Sequence, residues 1–460
     1  MLRNLSRAGG MQTFMVIWFG QLVSLIGTAM TRFALMIWAY DQTGEATTLA
    51  MIGFFSFILY VALSPMAGVV ADRFDRRKVM LFTDMGAGIM TLLVLLLYST
   101  GGLEIWHIYV LEALTGAFEA FQLPAKSAVI SVLVPKQQYA RANGLRALSL
   151  SAPNVLAPFL AGLLLQASGL EAVIFVDLAT FTFAWLTLML IRIPRPPQSA
   201  AGQQAQGNMW HEITFGFRYI RQRPGLLGLL VIFTGIVLFA TLTYYGVMPA
   251  MILARTGGDE LALATVRGAL GIAGVIGGLV VSTVGLPRKR IHAALGFTAV
   301  SFLLGDFLFA IGQTLVLWVF AAFVAEFFVP FITSGERSIW QVKVPPDVQG
   351  RVFAVQQTLR NAATPIGYLL AGPLADRVFE PAMQSGGALV ETFGGLVGTG
   401  PGAGMALMFL CTALLGMAVS AVGYLIPAVR EVEDRLPDHD GEPVVESRPP
   451  MATMAAEAGD

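Results

Sequence analysis

The sequence predicts an all-α membrane protein with twelve transmembrane helices arranged as two six-helix halves. Of its 460 residues, 56% are hydrophobic and only 13% are charged. A soluble domain carries about 25% charged residues, so this composition indicates a chain surrounded by a lipid bilayer. Twelve segments reach the roughly 20 apolar residues that a membrane-spanning helix needs. The formal net charge is zero, which argues against nucleic acid as a partner.

The twelve apolar segments follow one another in two sets of six. Predicted spans 1 to 6 are Phe14–Tyr40, Thr47–Ala71, Val79–Ser99, Ile105–Val134, Tyr139–Ser168 and Leu170–Ile191. Predicted spans 7 to 12 are Leu226–Ala254, Leu261–Gly285, Ile291–Gly312, Leu315–Val344, Val352–Val378 and Gly402–Val429. Several are longer than a bilayer requires, which predicts that they tilt, kink or project beyond it.

Lysine and arginine are concentrated in alternate loops, and this asymmetry sets the predicted orientation. One set of loops carries basic clusters such as Arg73–Lys78 and Arg288–Arg290. The loops of the other set carry Arg255 and Arg377 and few other cations. Because basic loops stay in the cytoplasm, both termini are predicted to be cytoplasmic.

The loop between spans 6 and 7 divides the chain. Its first part, Ile193–Asn208, is rich in proline, glutamine, alanine and glycine and is predicted to be flexible. Its second part, Met209–Gln222, places apolar residues at helical spacing and is predicted to be an amphipathic helix on the inner membrane face. The predicted units are a bundle at 1–191, a cytoplasmic linker at 192–224, a bundle at 225–429 and a disordered cytoplasmic tail at 430–460.

The two halves share weak internal similarity at an offset of 210 residues. Individual matches are single residues or pairs, but they keep one register over most of a half, which predicts that the second half repeats the first. The matches include Val134-Pro135 with Val344-Pro345, Arg141 with Arg351, and Gly68 with Gly278.

Residues for enzymatic or metal chemistry are sparse. The chain has one cysteine, Cys411, and four scattered histidines, so neither a disulfide framework nor a metal site is predicted. The glycine-rich run Gly398–Gly404 follows no strand and precedes no Gly-Lys-Ser/Thr, which argues against a nucleotide loop. No nucleophile–base set is evident. We therefore expect neither an enzyme nor a bound cofactor.

A short stretch between spans 2 and 3, Gly68–Lys78, reads Gly-Val-Val-Ala-Asp-Arg-Phe-Asp-Arg-Arg-Lys. It resembles the loop signature Gly-x-x-x-Asp-Arg-x-x-Arg-Arg/Lys of the major facilitator superfamily. The matching positions are Gly68, Asp72, Arg73, Arg76 and Arg77. Over Phe14–Val429 the chain resembles the macrolide-efflux-like group, also through Trp18-Phe-Gly-Gln21, Leu133-Val-Pro135 and Gly350-Arg-Val-Phe353. The resemblance implies the major facilitator fold in a bacterial inner membrane.

The same resemblance implies a mechanical role for the loop. In the superfamily its aspartate closes the inner gate against the start of span 11, which begins here near Arg351. We expect Asp72 to accept from that helix N-terminus, where the dipole favours an anion, or to pair with Arg351 or Arg146. The alternative is that it only offsets Arg73 and Arg76. A second copy of the pattern, Gly372–Arg377, lacks the basic cluster and is expected to have a local structural role.

The resemblance also implies that spans 1, 4, 7 and 10 line a central cavity. A charge at mid-membrane costs roughly a few kcal/mol, so charges on these spans mark a pathway or a partner. Arg32 on span 1 and Glu112 on span 4 are predicted at similar depth and are expected to pair. Glu119 and Glu326, with Glu112 as a third candidate, are predicted to couple transport to protons, because a buried carboxylate without a cation can bind a proton near neutral pH.

Each of these carboxylates has a structural alternative, in which a neighbouring arginine or polar group satisfies it. Asp177 and Asp306 fall on spans 6 and 9, outside the implied cavity, and are expected to be structural. Aromatic side chains would make the cavity suit a bulky amphipathic molecule, although they are also ordinary membrane-core filling. The cavity candidates are Phe118, Phe121, Thr241, Tyr244, Tyr245, Phe327 and Phe331.

Together these features predict a secondary active transporter driven by the proton gradient. The expected activity is export of a hydrophobic or amphipathic small molecule by a monomer in the inner membrane. Two alternatives remain: a transporter of another class, such as a siderophore, lysophospholipid or nutrient transporter, and a membrane sensor or scaffold that transports nothing.

Overall fold

The computed structural model describes residues 10–135, 138–191 and 209–438. Within these ranges every regular element is helical. The predicted flexible segment at Ile193–Asn208 and the chain beyond residue 438 lie outside them. The side chains of residues 68, 69 and 71–73 are likewise not described.

The described residues of the first half form five helices. Their bounds are α1 (Gly10–Thr43), α2 (Ala46–Arg73), α3 (Arg76–Ser99), α4 (Ile105–Leu133) and α5 (Tyr139–Leu190). Helix α5 breaks at Gly169, where φ is 78°, so predicted spans 5 and 6 are its two arms. Helix α3 begins where the Asp75 side chain accepts from the backbone N–H of Arg77 at 3.0 Å, a typical N-cap.

The second half contains shorter helices, because several predicted spans are interrupted. The linker helix is α6 (Met209–Arg221). Span 7 comprises α7 (Pro224–Ala240), a π-helical segment (Thr241–Val247) and α8 (Met248–Thr256), and span 8 is α9 (Glu260–Val284). Span 9 comprises α10 (Arg290–Val300), a π-helical segment (Ser301–Asp306) and α11 (Phe307–Ile311). Such π-helical turns are often found at functional sites.

The remaining spans and the chain end follow the same pattern. Span 10 is α12 (Leu315–Phe327) and α13 (Val329–Lys343), and span 11 is α14 (Pro346–Asn361), α15 (Ala363–Leu374) and a π-helical segment (Ala375–Phe379). A loop with α16 (Glu380–Met383) and α17 (Val390–Val397) leads to α18 (Ala403–Leu425), which is span 12. Two short helices, α19 (Pro427–Arg430) and α20 (Val432–Arg435), end the described chain.

The predicted class, an all-α membrane protein, is confirmed. Nine helical segments within the described ranges are long and apolar enough to cross a membrane, judged by length and composition. One of them, Gly144–Leu190, contains both arms of α5. The exact number of twelve spans and the location of the termini stay predictions.

The two halves share one hydrophobic core at the predicted outer end and have separate cores at the predicted cytoplasmic end. The shared cluster joins Leu35 and Ala50 of the first half to Met251 and Leu263 of the second. Among the described residues, the cytoplasmic ends form two further clusters, one in each half. Among the described residues, the halves therefore share a core at one end only.

The second copy of the loop pattern helps to hold the halves together. The Asp376 carboxylate accepts from the backbone N–H of Ala46 at 3.1 Å and of Thr47 at 2.6 Å. A Cβ at Gly372 would clash with the Thr47 backbone, so glycine permits the close approach. The role is structural, as expected, but it is not local, because the motif joins span 11 to the start of α2.

The linker helix and the first residues of the tail pack on the second half. Helix α6 is present where the amphipathic helix was predicted, and it buries Ile220 against Val352. The prediction of disorder from Arg430 onward is wrong for residues 430–438. Val432 is fully buried there, and the ammonium of Lys343 binds the carbonyl oxygens of Glu433 and Leu436.

Candidate functional site

An ion cluster centred on Arg32 lies inside the first half. Its Nε is 3.2 Å from Glu112 Oε2, and its Nη2 is 2.9 Å from Glu119 Oε1. The two glutamates are seven residues apart on α4 and share one face of that helix. The structure thus brings together the predicted pair of Arg32 and Glu112. It corrects the premise that Glu119 lacks a cationic partner, because Glu119 and Glu112 both pair with Arg32.

The two carboxylates of this cluster differ in exposure. The Glu112 side chain is 10% exposed, whereas those of Glu119 and Arg32 are each 34% exposed. Glu119 is thus the more accessible of the two carboxylates that share Arg32. Two carboxylates with one guanidinium carry one net negative charge.

Two small cavities continue from this cluster into the first-half bundle. They measure about 50 and 20 Å³ and share Thr28, Thr91, Thr115 and Asp177 in their walls. Asp177 Oδ1 accepts from the Thr28 hydroxyl at 3.1 Å, which ties span 6 to span 1. Each cavity has room for at least one water molecule among polar partners. Asp177 is therefore a satisfied buried carboxylate that also lines an internal polar space.

A third buried carboxylate, Asp84, lies at the other end of the larger cavity. It accepts from Gln21 Nε2 at 2.9 Å and from Gln122 Nε2. Sequence analysis did not single out Asp84, although an aspartate within a predicted apolar span is a visible signal. Lys126 lines the same cavity, so its polar end contains both signs of charge.

The second half contains a similar carboxylate bridge. Asp306 is 1% exposed and accepts from the hydroxyls of Tyr244 and Thr412, each at 2.6 Å. These contacts link spans 7, 9 and 12. They fit the structural role predicted for Asp306, and they place Tyr244 inside the bundle instead of on the cavity wall.

Glu326 differs from the other intramembrane carboxylates. It lies one residue before the end of α12, where the helix breaks ahead of Pro330. Within the described residues its side chain has no ionic or hydrogen-bonding partner, and it lies beside Gly274 of α9. An unpaired carboxylate in this setting is the one that best fits the prediction of proton coupling.

Arg267 of α9 was missed by the sequence analysis, which considered no charge on span 8. Its Nη2 lies 3.4 Å from the Met36 sulfur, and its Cζ lies 5.8 Å from the centre of the Phe33 ring. Its Nε is buried without a hydrogen-bond partner within the described residues. The visible signal was an arginine seven residues inside an apolar span.

Most of the predicted cavity aromatics face their own bundles, which corrects the sequence-based set. The Phe118 ring packs on Gly86, and Phe121 packs on the first-half core. Thr241 is buried and its hydroxyl donates to Val237 O, while Phe331 is 8% exposed. Span membership does not specify which face of a helix a side chain occupies. Tyr245, at 58% exposed, and the partly buried Phe327 remain candidates.

The predicted cytoplasmic gate is described only in part. The surroundings of Gly68 and the side chains of Asp72 and Arg73 are not among the described parts of the structure. The predicted contact of Asp72 with span 11 therefore stays a prediction. The side chain of Arg76 is partly buried and has partners.

The two other gate arginines have partners in their own halves. Arg77 donates from Nε to Leu188 O at 3.1 Å and from Nη2 to Met189 O, which fastens the loop to the end of α5. The Cζ atom of Arg351 lies 5.7 Å from the centre of the Phe215 ring, so this side chain faces the linker helix α6.

Comparison with known proteins matches the chain to one family. The family model described as Major Facilitator Superfamily matches residues 17–368. Macrolide efflux protein A of Streptococcus pyogenes is 29% identical over 371 residues, covering 79% of this chain and 90% of that protein. Multidrug efflux pump Tap of Mycolicibacterium fortuitum is 23% identical over 435 residues, covering 91% of this chain and 97% of that protein.

A solved structure shares the fold. It is a bacterial homologue of the human lysosomal transporter Spinster in an inward-facing, unoccupied conformation. The TM-score is 0.67 at 14% sequence identity, with 93% of this chain and 98% of that chain covered.

Proposed function

The chain belongs to the major facilitator superfamily, and we propose that this multi-pass bacterial membrane protein exports a hydrophobic or amphipathic small molecule by proton antiport. The observation that carries the proposal is Glu326, an intramembrane carboxylate that lies beside Gly274 and has no ionic or hydrogen-bonding partner among the described residues. The Arg32 cluster, in which Glu112 and Glu119 share one guanidinium, is the second candidate for the coupling site.

Alternating access follows from the way the halves meet. They share one hydrophobic core at the predicted outer end and have separate cores at the other end, so we expect substrate to enter between them from the cytoplasmic side. Rocking of the halves then opens the cavity to the outside. A proton taken up there by Glu119 or Glu326 returns with the protein to the cytoplasmic side.

Similarity to two efflux proteins supports export over uptake. Macrolide efflux protein A and the Tap pump both match most of the chain. At these identities the substrate does not transfer, and the exposed Tyr245 and partly buried Phe327 favour an amphipathic molecule without specifying one. A siderophore, a lysophospholipid or an imported nutrient remains the alternative class.

The test uses inside-out vesicles, a pH-sensitive dye and an imposed proton gradient. Macrolides, cationic dyes, siderophores and lysolipids are added in turn. We expect one class to collapse the gradient in the wild type and to do so poorly in Glu119→Gln and Glu326→Gln. Glu391→Gln, on an exposed outer loop, is the matched control and should behave as wild type. Substrate movement with no proton movement would contradict antiport.

A further inference from the structure

We propose that Arg267 binds an acidic group on the transported molecule, so that the substrate is an anionic amphipath. This inference rests on the proposed function and narrows its substrate class. It starts from the position of one guanidinium between the two halves of the protein.

Arg267 lies on the face of α9 that meets the first half. Ala264, Arg267 and Gly271 follow one another at i, i+3 and i+7, so they share that face. Ala264 lies against Gly162, and Gly271 lies against Val155. Between these two contacts, the Arg267 guanidinium reaches the first half at Met36.

The location also adjoins the core that the two halves share. Met36 and Tyr368 belong to the hydrophobic cluster that the halves share. Tyr245, which is 58% exposed, lies near both Arg267 and Glu326. The guanidinium is therefore placed between the buried shared core and the exposed Tyr245 side chain.

Arg267 has no counter-charge within the described residues. Arg32 pairs with two glutamates, and Arg360 pairs with Glu336 at 2.8 Å. Arg255 donates to the carbonyl oxygens of Gly312 and Val397 instead. In the described part of the chain, Arg267 contacts a thioether and an aromatic ring and lies near Tyr245 and Tyr368, and its Nε is buried without a hydrogen-bond partner.

A guanidinium left in this state is costly, because it has lost water and gained no anion. An acidic group supplied by a bound molecule removes that cost. The planar guanidinium fits a carboxylate, sulfonate or phosphate through two parallel hydrogen bonds. The surrounding Phe33, Met36 and Tyr368 side chains provide an apolar surface for the rest of an amphipathic molecule.

The test measures binding, so it does not depend on transport or on proton coupling. The purified protein is placed in nanodiscs of phosphatidylcholine. The probes are 1-anilinonaphthalene-8-sulfonate and N-phenyl-1-naphthylamine, which has the same ring system without the sulfonate. Fluorescence titrations are corrected with empty nanodiscs. We expect the sulfonate probe to bind the wild type about tenfold more tightly, a gain of about 1.4 kcal/mol.

Two variants at position 267 distinguish the effect of losing the positive charge from an effect of misfolding. Arg267→Gln should abolish the preference for the sulfonate, and Arg267→Lys should retain a part of it. Arg377→Gln, at an exposed arginine, is the control and should keep the full preference. Thermal unfolding of each variant checks that it is folded.

Equal binding of the two probes to the wild type would overturn the inference and leave an amphipath transporter standing. A preference that survives Arg267→Gln would overturn it as well. Binding of neither probe would contradict both this inference and the proposed function. Nanodiscs containing phosphatidylglycerol test whether an anionic lipid headgroup, and not the transported molecule, binds Arg267. If that lipid abolishes the preference, Arg267 holds a lipid headgroup and the substrate assignment is wrong.

Discussion

The carboxylate of Asp376 accepts a hydrogen bond from the backbone N–H of Thr47 over 2.6 Å, across the interface between the two halves. Its other oxygen accepts from the N–H of Ala46, the first residue of α2. The N-cap residue of α2, Glu45, makes no side-chain capping bond. Asp376 therefore satisfies two N–H groups and places an anion at the positive end of the helix dipole.

Removing this contact should favour opening of the predicted outer end. We expect Asp376→Ala to destabilise the closed arrangement by about 2 kcal/mol, because hydrogen bonds to a charged acceptor are lost. Spin labels on cysteines introduced at the exposed Glu45 and Gln384, in a Cys411→Ser background, report the separation of the halves. Their distances should lengthen and broaden in Asp376→Ala and stay unchanged in Arg377→Gln. An unchanged distribution in Asp376→Ala would mean that other contacts hold the halves together.

The Arg32 cluster should be important for stability as well as transport. Arg32→Gln leaves Glu112 buried without a cation, which should cost about 3–5 kcal/mol in the free energy of unfolding. The double change Arg32→Glu with Glu112→Arg returns opposite charges to the two positions and should recover most of that loss. Thermal unfolding in detergent measures both. Arg435→Gln, which breaks an exposed pair with Glu431, is the comparison and should lower the stability much less than Arg32→Gln does.

Sequence reasoning predicted the pairing of Arg32 with Glu112 because that prediction required only the depth of each residue in the membrane. Counting residues from the helix ends placed Arg32 and Glu112 at similar levels, and the structure joins them. The all-α membrane class followed from composition in the same way. The partner of Glu119 was missed because two carboxylates can share one guanidinium, and no depth count reveals such sharing.

The side chains that sequence reasoning placed wrongly required knowledge of helix rotation and tertiary contacts. Phe118 and Tyr244 are on the implied cavity spans, yet they face Gly86 and Asp306 inside their bundles. A helix in a bundle has neighbours on several sides, and its apolar residues show no clear polar face to orient it. Asp376 and Arg267 act across the interface between the halves, which local sequence does not reveal.

Glu326 should separate proton coupling from folding. Within the described residues it has no ionic partner, so Glu326→Gln breaks no ion pair and should leave thermal stability unchanged or slightly higher. We expect the variant to exchange substrate across vesicles without a gradient at a rate close to wild type. It should fail to accumulate substrate against a concentration gradient when the proton gradient is imposed. Normal gradient-driven accumulation in Glu326→Gln would exclude this carboxylate as the coupling group.

The contacts of Lys343 with residues 433–438 should fix the segment 427–438 on the second half. Lys343 is 6% exposed, and its ammonium binds the carbonyl oxygens of Glu433 and Leu436 and lies 2.7 Å from Asp438 Oδ1. Lys343→Met keeps an unbranched side chain of similar length but leaves these acceptors without a donor, so the segment should detach. Hydrogen exchange of peptides around Val432 should become faster.

The exposed pair of Lys289 with Asp434, 2.7 Å apart, is the matched control for this prediction. It reaches the same segment from a neighbouring loop, but an exposed ion pair contributes only about 0–1 kcal/mol. Lys289→Met should therefore change exchange around Val432 much less than Lys343→Met. Equal effects would mean that charge near the segment matters more than the buried ammonium. No effect of Lys343→Met would mean that burial of Val429 and Val432 is enough to hold the segment in place.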